Sequence, residues 1–156
     1  MDSTGVTAFT TPSDREIVAT RVVKAPRRLV FEAWTDPQHL PHWLLGPQGW
    51  TMPVCEIDLR PGGSWHYVWR NTQGREFGAS GTYSEVTPPH RIVTVTSRDG
   101  EENTSTTVFT EHDGRTTVTN TMLFASKASR DQALPYARGG TASSYARLDA
   151  YLASKR

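Results

Sequence analysis

Three side chains have types and spacings suited to moving protons. In GTYSEV, Tyr83 and Glu85 stand two residues apart, and on a strand that spacing puts them on one face with Gly81 and Ala79. His42 lies on a short helical stretch after Asp36-Pro37. A phenol, a carboxylate and an imidazole are the usual general acids and bases, so Tyr83, Glu85 and His42 are the catalytic candidates. Asn120, within TTVTNTMLF, shares a face with Val118 and Met122, and Thr107 shares one with Phe109 on the preceding strand. If these faces point inward, Tyr83, Thr107 and Asn120 are polar groups in an otherwise apolar chamber. Such groups can orient a carbonyl or stabilise a developing enolate. The plainer reading is preferred: Tyr83 and Asn120 bond each other or backbone, as buried polar groups nearly always do.

Other chemistries find less support. His39 and His42 form an HxxH without the carboxylate of a zinc hydrolase motif, and Cys55 is the only thiol, so no metal site is expected. Gly62-Gly63 reads as a turn, because no phosphate-binding glycine pattern accompanies it. No GxSxG elbow is present, and Cys55 reads as a small buried residue. Glu56 and Asp58 share a strand face that reads as the solvated side. No cofactor is called for. With 17 basic and 16 acidic residues the formal net charge is +1, and no basic block marks a nucleic-acid or anionic-membrane partner. The lone cysteine fits a reducing compartment, and no run is long enough to span a membrane or act as a signal peptide. The expected location is cytoplasmic.

Positioning these groups requires a sheet. REIVATRVVK over 15–24 suits a first strand, and PRRLVFEAW carries Val30, Phe31 and Trp34 at helical spacing. Asp36-Pro37 restarts the pattern for a second short helix that Pro41 should shorten. Six strand-like runs follow between Gly, Pro, Asn and Asp turns, as in an antiparallel meander. In SWHYVWR, Trp65, Tyr67 and Trp69 fall on one face and His66 on the other. The three rings read as core first and pocket lining second. From Ser126 a short helix interrupted at Pro135, a hinge at Gly139-Gly140 and a terminal helix with Tyr145, Leu148 and Leu152 on one stripe complete the chain. Residues 1–13 read as a loose polar tail, and 14–156 as a single domain.

RVVKAPRRLVFEAWTDPQHLPHWLLGP, CEIDLRPGGSWHYVWR, GTYSEVTPPHRIV and EHDGRTTVTNTMLF together resemble the activator of heat-shock-protein-90 ATPase homologue-like family, in the START-like (SRPBCC) superfamily, over about Arg15 to Leu152. The resemblance implies an α+β helix-grip fold: a curved antiparallel sheet wrapped around a long C-terminal helix. It also implies a cavity between sheet and helix that accepts an apolar small molecule. The sequence departs from the family pattern at Trp43-Leu44-Leu45, where paired tryptophans are common. It also departs at Gly140-Thr141, where Gly-Trp is usual, and at Asn120, where a Leu-like residue is common. If these sites face the cavity, they enlarge it and add hydrogen-bonding handles.

The expected lining therefore comprises the rings Trp65, Tyr67 and Trp69 with Trp43 and Phe109. The strand residues Tyr83, Thr107, Asn120 and Met122 add to it, as do Tyr136, Thr141 and Tyr145 from the helical end. The function expected is binding of a hydrophobic or aromatic metabolite. Two alternatives stand behind it: a polyketide cyclase- or dehydratase-like enzyme using the same cavity, and a chaperone-interacting module. No residue demonstrates a homodimer, although an unpaired strand edge would allow one.

Overall fold

A computed structural model describes residues 5–98 and 100–155. Alternating burial makes Glu16–Val23 (β2) a half-buried strand, with Ile17, Ala19, Arg21 and Val23 inward. Within the segment read as a tail, Ala8–Thr10 (β1) pairs antiparallel with β2. Helix α1, Arg27–Thr35, starts after Pro26 and buries Val30, Phe31, Ala33 and Thr35. The second helix shrinks to a single 3-10 turn, Leu40–His42. Pro41 supplies no amide there, and Asp36 Oδ1 accepts from the Gln38 amide instead of opening an α-helix.

The meander follows as expected: Trp50–Ile57 (β3), Ser64–Asn71 (β4), Glu76–Thr87 (β5), Arg91–Arg98 (β6), Glu101–His112 (β7) and Arg115–Leu123 (β8). All pairings are antiparallel, in the order β1-β2-β8-β7-β6-β5-β4-β3. Pro53 sits on the edge strand β3, where its missing amide breaks no internal ladder, and the register shifts around it between Thr51 and Val54.

The helical end differs from the expected broken pair. Helix α2, Lys127–Tyr136, runs through Pro135 into a π-helical turn at Ala137–Thr141 and on into α3, Ala142–Ala153. The carbonyl that Pro135 leaves without an amide is that of Asp131, on an exposed residue that water can reach. The widened turn absorbs Gly139-Gly140 without a break. Ser126 caps α2, its Oγ accepting from the Ser129 amide. Tyr145, Leu148 and Leu152 of α3 are buried with Val30, Phe31, Leu40, Phe109 and Val118 in one core. The arrangement is the α+β helix-grip: a curved sheet around a C-terminal helix. At its N-terminal side the buried Arg21 guanidinium is paired with Asp149 of α3 and donates to Thr7 Oγ1 at 2.8 Å.

Candidate functional site

The alternation in SWHYVWR does put Trp65, Tyr67 and Trp69 on the inner face. Their rings follow one another at centroid distances of 4.7 and 5.7 Å. Trp65 pairs with Gly81 of β5, and its ring lies so close that a Cβ on Gly81 would sit 2.7 Å from it. His66 is on the outer face, beside Glu56 at 3.2 Å. One strand across, the buried Tyr83 hydroxyl shares a hydrogen bond with Tyr67. Burial is the larger influence on both phenols. It pushes Tyr83 up to about 12 and Tyr67 well above the ordinary phenol range.

Opposite this aromatic wall stands a row of hydroxyls and one amide. Thr94 and Thr96 of β6, Ser105 and Thr107 of β7, and Asn120 of β8 face the same space. Thr94 pairs with Ser105 and Thr107 with Asn120 in the ladder. Asn120 Nδ2 donates to Ser105 Oγ and Thr107 Oγ1, each at 2.9 Å. The sheet walls and the helices enclose a chamber of about 300 Å³. Trp34 of α1, Leu40, Leu44 and, from the long helix, Tyr136, Thr141, Ser144 and Tyr145 close it. Trp34 is the joint of this roof, with ring contacts to Trp43 at 4.5 Å, Phe109 at 5.4 Å and Tyr145 at 5.5 Å. Three hydrogen bonds pin the loop after the 3-10 turn. The Gly46 amide donates to Ser144 Oγ at 2.8 Å, Arg147 Nη1 donates to the Gly46 carbonyl at 2.7 Å, and Trp69 Nε1 donates to the Leu44 carbonyl at 2.8 Å.

The chamber thus gathers Trp65, Tyr67, Trp69, Tyr83, Thr107, Asn120, Met122, Tyr136, Thr141 and Tyr145. Two expected lining residues are core instead. Trp43 is fully buried beneath Trp34, its Nε1 donating to the Ala33 carbonyl at 2.9 Å. Phe109 is wedged between Phe31 and Trp34. Two catalytic candidates lie outside. The ladder shifts between Tyr83 and Glu85, so that Glu85 pairs with Val93 while Tyr83 pairs with Thr94. This bulge breaks the period of two. Glu85 leaves by the opposite face and accepts from Arg91 Nε at 3.2 Å and Thr87 Oγ1 at 3.0 Å. His42 is exposed and stacks on Tyr151 at 4.9 Å, while His39 Nδ1 is 2.6 Å from the same residue's hydroxyl. The HxxH clamps a tyrosine. Among the described residues no group of three His, Cys, Asp or Glu converges. Half-buried Cys55 has its thiol pushed up to about 11, first by burial and then by Asp36, which holds it protonated.

Of the preferred sequence readings, one holds in altered form. Tyr83 and Asn120 are satisfied groups, but by Tyr67 and by Ser105 with Thr107, not by each other. Sequence reasoning missed Trp34, Leu40, Leu44, Ile92, Thr94, Thr96, Ser105 and Ser144. In RIVTVTSR the Thr/Val alternation was a signal of period, yet hydropathy assigns its threonines to the wet face.

The family pattern described as "Activator of Hsp90 ATPase homolog 1-like protein" matches residues 24–153. A crystal structure of a Rhodobacter sphaeroides protein superposes with a TM-score of 0.89 at 26% identity, covering 96% of this chain and 99% of that one. A Nitrosomonas europaea protein does so with a TM-score of 0.85 at 22% identity, covering 94% and 100%. The AHSA1-like protein from Aeromonas hydrophila gives 0.69 at 22% identity, covering 85% and 92%. No curated protein matches the sequence. With a family pattern spanning most of its length and that fold around its chamber, the chain belongs to the activator of Hsp90 ATPase homolog 1-like family.

Proposed function

We propose that this protein is a START-like binding domain that holds a hydrophobic or aromatic small molecule between its sheet and its C-terminal helix. The observation that carries the reading is the chamber itself: about 300 Å³, walled on one side by Trp65, Tyr67 and Trp69 and on the other by hydroxyls and an amide. The rings supply apolar area, worth about 25 cal/mol per Å² removed from water. The polar row supplies orientation. Acid–base catalysis of the cyclase or dehydratase kind has less support. His42 and Glu85 lie outside, and the four phenols inside, Tyr67, Tyr83, Tyr136 and Tyr145, are all pushed up by burial, so none is poised as a base. The chaperone-interacting reading rests on the family description alone. A cytoplasmic location accords with the single free thiol, and no described helix is long and apolar enough to cross a membrane.

Thermal unfolding against a panel of aromatic and apolar metabolites, with mass spectrometry on every hit, tests the reading. A ligand at 100 times its dissociation constant adds about 2.7 kcal/mol of stability. A shift with unchanged mass is the expected result. A new product mass would make the protein an enzyme, and no shift across the panel would refute the binding reading.

A further inference from the structure

A second hollow lies against the chamber. Leu45, Pro47, Trp50, Phe77 and Ala79 line an outer groove of about 570 Å³, completed by Trp69 and Tyr136. These last two also line the chamber, so they form the partition between the two spaces. Trp69 is fixed by its hydrogen bond to the Leu44 carbonyl. Tyr136 is not: it is 60% exposed, and its hydroxyl has no hydrogen-bond partner among the described residues. Its ring rests on Gly140 and its hydroxyl on Gly46, where an added Cβ would come within 2.8 and 2.7 Å. Rotation of an exposed ring needs no backbone movement and is fast. Tyr136 is the movable half of the partition.

The polarity of the two spaces runs inward. The groove is bounded by apolar and aromatic side chains, whereas the hydroxyls and the amide stand inside. Among the described residues neither space is lined by an Asp, Glu, Lys, Arg or His, so an ionised ligand would lose its water without gaining a counter-charge from them. We propose that chamber and groove form one two-compartment site for an uncharged amphipathic molecule. Its hydrogen-bonding head is seated inside on Asn120, Ser105 and Thr107, and its apolar tail passes Tyr136 into the groove. The inference rests on the binding function proposed above and adds the ligand's charge, its orientation and its route.

Quenching of the five tryptophans measures dissociation constants for 4-alkylbenzyl alcohols from methyl to octyl, matched alkylbenzenes and matched 4-alkylbenzoates. The alcohols should bind about fivefold tighter than the hydrocarbons, the worth of one neutral hydrogen bond, and the benzoates should bind weakest. Affinity should keep rising about fourfold per methylene once the chamber is full. Phe77→Ser and, independently, Trp50→Ser should flatten that gain for long tails and leave the short alcohols unchanged. Tyr136→Ala should raise association and dissociation rates together. A plateau at short tails, an unaltered tail increment in both groove variants, or benzoates as tight as alcohols would overturn the two-compartment site while leaving the chamber's function intact. No binding by any of the three series would remove both.

Discussion

Replacing Tyr83 by phenylalanine removes one buried hydroxyl and leaves the ring packing in place. Near neutral pH the loss is the hydrogen bond to Tyr67, about 1 kcal/mol. At alkaline pH the sign changes. Burial holds the Tyr83 phenol up to about 12 in the folded protein, against an ordinary value of 10.0. Between those values the folded protein keeps a proton that the unfolded chain releases. The stability present below about pH 10 is therefore lost as pH rises through about 12. The interval corresponds to about 2.7 kcal/mol once both states have titrated, of which about 2 kcal/mol is lost by about pH 12. The variant escapes that loss. Urea unfolding of both proteins, followed by circular dichroism from about pH 8 to about pH 12, should show Tyr83→Phe less stable by about 1 kcal/mol at the lower end. The deficit should vanish and then reverse toward the upper end. Titrating groups away from Tyr83 are common to both proteins and cancel, while Tyr67, which Tyr83 helps to push up, loses that part of its shift in the variant, an effect of the same sign. A deficit that stays constant across the range would refute the assignment of Tyr83 as a phenol protonated by burial.

Asp149→Ala leaves the Arg21 guanidinium, 5% exposed, with only Thr7 Oγ1 among its side-chain partners, and should cost about 3 kcal/mol in urea unfolding. The double replacement Arg21→Met with Asp149→Leu should recover most of that loss, since a buried pair is often exchangeable for apolar packing. Asn120→Leu exchanges two hydrogen bonds, about 2 kcal/mol together, for apolar contact of similar worth. Its stability should stay within about 1 kcal/mol of the parent, while calorimetric affinity for any ligand with an oxygen-bearing head falls. Native Cys55 should react with a disulfide reagent about 100-fold more slowly near neutral pH than the unfolded chain does. The rate of that reaction should still be climbing toward a midpoint near pH 11, the value to which burial raises the thiol.

The sheet was legible because its turns are written in glycine, proline, asparagine and aspartate, and because Trp65, Tyr67 and Trp69 repeat with a period that only a strand produces. The bulge between Tyr83 and Glu85 was not. Nothing local in GTYSEV marks it, since the extra residue is accommodated by pairing across to Val93 and Thr94. The hydroxyl row was hidden for a different reason. Alternation tells which residues share a face but not which face is wet, and Thr94 and Thr96 turn toward the chamber against the usual preference. Trp43 and Phe109 were rightly read as inward, yet inward includes solid core as well as lining. Which of the two applies depends on Trp34, whose ring separates them from the cavity. The helix through Pro135 and Gly139-Gly140 overrode two strong breakers, because tertiary contact with the sheet holds it in place.

The π-helical turn at Ala137–Thr141 amounts to one residue more than a continuous α-helix would hold. The widened turn takes up that extra residue without changing the phase of the segments on either side, so deleting one of its glycines would restore regular winding and leave α2 and α3 facing as they do now. Arg130 would keep the Ser13 and Glu16 carbonyls that moor α2, at 2.7 and 3.3 Å, and only the bed of Tyr136 on Gly140 would change. Chain length at this one joint thus tunes the seat of Tyr136 at the mouth without turning either helix. Insertion and deletion here are a route by which a lineage could change how the mouth closes while the sheet walls of the chamber stayed as they are.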